Sequence, residues 1–188
     1  MARGGIPSSP ADELDEELEF LAARLSSNFG GLSGSVSLNL LSKDADRGFE
    51  ILRAVLAAPS FQEDKLALRK TQALQGLKQR NDNSSSIESR ERNFLAYGDD
   101  FWFNRHTTAA SLESISRGDL LAFHHEWVHP RNFIVSVSGD FDRDAMLKRL
   151  DGVFAAWPHS GKKTPPVPQS KTYGKPGVCI VNKDVNQG

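Results

Sequence analysis

The 188-residue chain predicts an α+β domain with helices packed on one face of a small, mainly antiparallel sheet. Three observations carry this. Apolar residues recur at helical spacing in about six segments. About three short stretches alternate apolar and polar residues with a period of two. Strands and helices are mixed in order instead of alternating regularly.

Leu14, Leu18, Leu21 and Leu25 lie on one helical face, which predicts a helix over 12–27. Its acidic first turn (Asp12, Glu13, Asp15, Glu16) suits the positive end of a helix dipole. Gly30-Gly31 breaks the pattern. Val36, Leu38 and Leu40 then alternate with Ser35, Ser37 and Asn39, predicting a strand with one buried and one small, polar face. A helix over 44–58 carries Phe49, Leu52, Val55 and Leu56 and stops at Pro59. A long helix over about 62–80 turns Leu66, Ala73, Leu74 and Leu77 inward. Asn81-Asp82-Asn83-Ser84 interrupts it, and a further helix runs to Tyr97-Gly98.

Residues 99–110 are irregular and aromatic. Ser116, with Asp119 three residues on, opens a helix with a capping-box-like start that ends at Pro130. Residues 133–138 alternate as a strand, and Gly139-Asp140 turns the chain. A helix over 142–157 gathers Met146, Leu150, Val153, Phe154 and Trp157 on one face. The Gly-, Lys- and Pro-rich stretch that follows has the composition of a linker, and 177–182 begins a new strand.

Composition excludes several classes. Lys and Arg number 23 against 24 Asp and Glu, so a net charge of −1 gives no electrostatic reason to expect nucleic acid. No apolar run nears the roughly 18 residues of a membrane span. The start, MARGGIPSSP, lacks the apolar core of a signal peptide. A lone Cys179 excludes an internal disulfide and any Cys-rich zinc site, and does not fix the compartment.

The strongest local motif is His125-Glu126-Trp127-Val128-His129, an H-E-x-x-H string. Histidines at i and i+4 of a helix can share one zinc, and the Glu can take a proton from metal-bound water. An active zinc peptidase using His125, Glu126 and His129 is therefore one reading. Against it, Pro130 pulls His129 out of helical geometry. Glu126 is also the last glutamate in the chain, which removes the usual downstream ligand, and His159 is the only later histidine. The alternative is a polar helix end with solvated or capping histidines.

Other short motifs have plain explanations. Arg117-Gly118-Asp119 lies in a helix's first turn, and Pro165-Pro166-Val167-Pro168 fits a stiff linker. Glu88, Arg90, Glu91 and Arg92 form a solvated helix face. Gly30-Gly31 with Gly34 is followed by a strand and no Lys-Ser/Thr, unlike a phosphate loop.

Several stretches, read in order across about residues 12–158, resemble the pitrilysin/insulinase family of inverted-zincin metallopeptidases, which includes the mitochondrial processing peptidases. They are Ala57-Ala58-Pro59-Ser60-Phe61, Tyr97-Gly98, Ile115-Ser116-Arg117-Gly118-Asp119-Leu120 with Phe123-His124, and His129-Pro130-Arg131-Asn132. The most specific block runs from Val135-Ser136-Val137-Ser138-Gly139-Asp140-Phe141-Asp142 to Phe154-Ala155-Ala156-Trp157-Pro158. The resemblance implies clamshell zinc peptidases whose repeated α+β domains enclose a substrate chamber. Their metal is held by H-x-x-E-H and a downstream glutamate.

No H-x-x-E-H occurs in this chain, and by the family's order it should lie just upstream of Met1. The glutamate should fall near Leu74-Gln75-Gly76-Leu77, where the best-matched position is Gly76. In the family the helix matching His125–His129 carries no metal. Arg3-Gly4-Gly5 is similar to bacterial members that are non-catalytic subunits or halves.

The resemblance therefore implies no catalytic, cofactor-binding or metal residues in this chain. Zinc is expected in a catalytic partner or in full-length members of the family. It implies peptide or unfolded-protein substrate and a second peptidase-like domain or subunit as partners. A structural core-type subunit without a peptidase role is a further alternative. The expected organisation is a partial first domain at 1–158, a linker at 159–176 and the first strand of a following domain at 177–188. An unfinished sheet would leave open edges and apolar surface, so self-association is expected.

Overall fold

The computed structural model describes residues 3–155, 157, 161–169, 175 and 177–183. It is helix-rich with a two-stranded antiparallel sheet, as the α+β reading expects. The chain forms two compact units, 1–68 with 115–165, and 69–114 with 166–188.

In the first unit, α1 spans Ala11–Phe20 and buries Ala11, Leu14 and Leu18. The chain then departs from the sequence expectation. The predicted helix over 12–27 ends seven residues early, and Arg24–Gly30 forms strand β1. The stop is a Schellman-type turn. The Ala22 amide donates to Glu19 O at 3.0 Å and the Ala23 amide to Leu18 O at 2.8 Å, with Ala22 left-handed at φ +48. Alanine in place of the usual glycine hides that stop from a sequence reading.

Strand β2 spans Ser33–Asn39 and pairs antiparallel with β1, Leu25 opposite Leu38 and Ser26 opposite Ser37. Gly31, at φ +57, supplies the left-handed residue that a tight hairpin turn requires. The alternation places Leu25, Ser27, Val36 and Leu38 on a half-buried face and Ser26, Asn28, Ser35 and Ser37 on an exposed one. Ser26 Oγ and Ser37 Oγ are 2.8 Å apart across that outer face.

Helix α2, Ala45–Ala57, completes the core. Ile51 and Val55 pack with Ile6, Leu14 and Leu18, and Leu21, Ala23 and Leu25 close over them. Gly48 lets β2's end approach, since a Cβ there would lie 2.0 Å from Leu40 Cδ2. Arg47 ties α2 to α1 through a two-pronged contact with Glu17 (2.6 and 3.0 Å) and also meets Glu50 at 2.8 Å. These hydrogen bonds, Glu17's first, hold its guanidinium even more firmly protonated than usual.

Helix α3, Glu63–Lys78, runs from the first unit into the second. There α4, Ser84–Tyr97, starts at an Asn83 cap that accepts from the Ser86 amide. A 3-10 turn at Trp102–Asn104 follows. It buries Asn104, whose Nδ2 donates to Gly98 O at 2.7 Å and Asn93 O at 3.0 Å. Tyr97 stacks on Phe101, Phe103 meets Tyr97 and Trp102 edge-on, and Phe101 lies tilted against Trp102. Short helix α5, Ala109–Ser114, ends this stretch.

Back in the first unit, α6 spans Arg117–Trp127. Its capping box forms as expected: the Asp119 amide donates to Ser116 Oγ, and Asp119 Oδ2 accepts from the Ser116 amide at 2.7 Å. Helix α7, Arg143–Phe154, is capped by Asp142 and buries Met146 and Val153. Arg149 joins it to α2, pairing with Asp46 and lying 5.7 Å from the centre of the Phe49 ring.

The predicted strand over 133–138 is corrected. These residues join no ladder among the described residues, and Ile134 is fully exposed. A period-two pattern supplies a face, but a strand also needs a neighbour for its backbone groups. Gly177–Lys183 likewise shows no ladder among the described residues.

Candidate functional site

The H-E-x-x-H residues sit where α6 ends. Helical geometry stops at Trp127: Val128 has ψ 86, and His129 is extended at φ −152, ψ 157. Pro130 dictates this, because the residue before proline avoids the helical region. His125 and His129 are therefore not one turn apart on a helical face. His125 is exposed, and Glu126 is half-buried and pairs with Lys162. His129 is 1% exposed, and its Nε2 accepts from the Asn132 side-chain amide at 3.3 Å.

The structure therefore does not bring His125, Glu126 and His129 together as the zinc-centre reading requires. Among the described residues no three His, Cys, Asp or Glu side chains gather in a way that could hold a metal ion. Zinc does not fit this donor set. Gly76, the position matched to the family's glutamate, lies in α3, and a Cβ built there meets no atom within 4 Å. Space exists, but a carboxylate does not.

Another buried histidine lies one residue before the string. His124, which the sequence reading grouped with solvated or capping histidines, is buried, and its Nε2 lies 2.7 Å from Leu56 O. A carbonyl can only accept, so this nitrogen carries the proton. Leu56 O is one of the last carbonyls of α2, which no intrahelical amide reaches. Burial, opposed in part by this hydrogen bond, pushes the His124 pKa below its ordinary value.

The ring also meets Phe61 edge-on at 6.1 Å. Phe61 itself is left-handed, φ +46, a strained conformation for a bulky residue. Its neighbours hold it there. The Ser60 amide donates to Gly5 O, the Gln62 amide to Gly4 O, and Arg117 Nε to Ser60 O at 2.9 Å. Gln62 Oε1 accepts from the Ala11 amide at 2.8 Å and so caps α1. Gly5 admits it: at φ +74, a Cβ would lie 2.7 Å from that oxygen. The Pro59-Ser60-Phe61-Gln62 loop thereby joins Gly4-Gly5, α1, α2 and α6. It is a structural joint.

The described residues thus form an α+β arrangement in which the H-E-x-x-H string is dispersed and no group of three metal-ligating side chains gathers. Comparison with known proteins shows what the chain is similar to. Residues 114–188 match the family of the peptidase M16 inactive domain. The whole chain is 22% identical to an uncharacterized zinc protease of Rickettsia bellii and spans 45% of that relative's length. A crystal structure of a peptidase M16 inactive domain from Pseudomonas fluorescens superposes with TM-score 0.77 at 23% identity, over 90% of this chain and 42% of that one. A ferredoxin protease, in complex with Arabidopsis ferredoxin, superposes with TM-score 0.65 at 15% identity, over 92% of this chain and 18% of that one. The resemblance to the pitrilysin/insulinase-type metallopeptidases is borne out, with the inactive-domain match lying over residues 114–188. No helix among the described residues is long and apolar enough to cross a membrane.

Proposed function

We propose that this chain is a non-catalytic portion of a pitrilysin/insulinase-type protease. It walls part of a peptide chamber and works with a catalytic half or subunit that carries H-x-x-E-H and the zinc. The observation that carries this reading is the exit of the chain from α6 at Trp127, which separates His125 from His129. The inactive-domain match over 114–188 agrees with it.

The substrate surface in this reading is strand β2, within the stretch 35–41. Its outward side chains, Ser35, Ser37 and Asn39, are small and polar. Its only ladder neighbour among the described residues is β1, so an extended peptide can add to its other edge through backbone hydrogen bonds. The fold neighbour captured with ferredoxin supports a protein as the substrate. The division into a domain at 1–158, a linker at 159–176 and the start of a following domain at 177–188 belongs to the same proposal.

The test is reconstitution. Purified chain is added to the half or subunit bearing H-x-x-E-H, and hydrolysis of an unfolded protein is followed. A rise in rate with saturable dependence on the chain supports the reading. An unchanged rate, with no complex in sedimentation, refutes it.

A further inference from the structure

The end of α6 grips another part of the same unit. Lys162 pairs with Glu126, and its Nζ stands 4.8 Å from the centre of the Trp127 ring. Two residues later, Thr164 Oγ1 donates to Asn132 Oδ1 at 3.2 Å. Asn132 is oriented to accept. Its Nδ2 donates to Trp127 O at 2.9 Å and to His129 Nε2 at 3.3 Å, which turns the amide oxygen toward Thr164.

These contacts fall on Lys162 and Thr164, within the four residues 161–164 just before Pro165-Pro166-Val167-Pro168. Glycine and lysine side chains give such a stretch no reason of its own to stay in place. The prolines after it have φ fixed near −65°, so they continue in whatever direction they are started.

We infer that Glu126, Trp127 and Asn132 form a clasp that seats residues 161–164 and so sets the point and direction from which the Pro-rich linker leaves. Glu126 and Trp127 of the H-E-x-x-H string thereby acquire a use in holding the linker in place of a metal. The clasp is built for reversible closure. Lys162 and Glu126 are both partly exposed, so the ion pair weakens with salt, while the contact with the aromatic face adds a second, weakly screened component.

The test uses the full 188-residue chain in solution by NMR. In the wild type, the Lys162 ε-methylene protons are shifted upfield by the Trp127 ring, and the backbone amides of 161–164 show the order of a structured loop. Glu126→Lys raises the open fraction about five- to tenfold, moves the methylene resonance toward an ordinary lysine position and lowers the order of 161–164. The swap of Glu126→Lys with Lys162→Glu restores the ion pair but not the cation–ring contact, so it recovers part of the backbone order, which a merely damaged fold does not do. Unchanged resonances of Val55 and Met146 serve as the folding control. Should Glu126→Lys fail to fold, molar salt on the wild type reads the same opening. Mobile 161–164 amides in the wild type, indifference to both Glu126→Lys and salt, or a swap without recovery overturns the clasp.

Discussion

His124→Phe keeps an aromatic ring against Phe61 and removes only the N–H that serves Leu56 O. Both residues are 7% exposed, so water does not take over the abandoned carbonyl. The lost bond is short, at 2.7 Å, and the acceptor is an orphan at a helix end. Leaving such a buried group unsatisfied costs about 1–3 kcal/mol. With a urea dependence of about 2 kcal/mol per molar, the midpoint falls by about 1 M at pH 7.5.

Protonation supplies an independent check. Burial depresses the His124 pKa, with the charge of His125 acting in the same direction. The unfolded chain therefore takes up the proton first as pH falls. Stability from this group is complete above the ordinary histidine value near 6.5 and is lost as pH drops through the folded value. Phenylalanine does not titrate, so the gap between wild type and variant narrows between pH 7.5 and pH 5. Urea titrations at the two pH values measure both effects. Equal midpoints at pH 7.5, or a gap that stays constant at pH 5, refute the role given to His124.

Val55→Ala, at a fully buried core position, costs about 2–4 kcal/mol by the same titration, because Ile51, Leu14 and Leu18 cannot all close on the vacated space. Ala22→Gly stabilises by up to ~1 kcal/mol: relief at φ +48 exceeds the added freedom of the unfolded chain. Ser116→Ala removes the acceptor for the Asp119 amide and costs about 1 kcal/mol, read as a lower thermal midpoint. Ile134, Val178 and Ile180 are 100%, 91% and 86% exposed, and sedimentation will show concentration-dependent association that Ile134→Lys weakens.

The sequence shows most helices and their boundaries, because capping chemistry is local. Ser116 with Asp119, Asn83 and Asp142 each mark a start that the structure keeps. Strand β1 escapes because Leu25 continues the spacing of Leu14, Leu18 and Leu21, while the real stop depends on a left-handed alanine. Burial alternates at Leu25 and Ser27, but Ser26, Ser27 and Asn28 are all polar, so no apolar–polar alternation marks the strand in the sequence. For the site, Pro130 correctly warns that His129 leaves the helix. The importance of His124 is not legible, since its partner lies 68 residues away on α2. Lys162 meets Glu126 and Trp127 for the same reason: long-range contacts follow from packing, not spacing.

The most direct measurement is the zinc content and peptidase activity of the purified 188-residue chain after dialysis against zinc, with His125→Ala and Glu126→Gln alongside. The account predicts substoichiometric metal, no hydrolysis, and no difference among the three proteins. One zinc per chain, lost together with peptidase activity in His125→Ala, would contradict it.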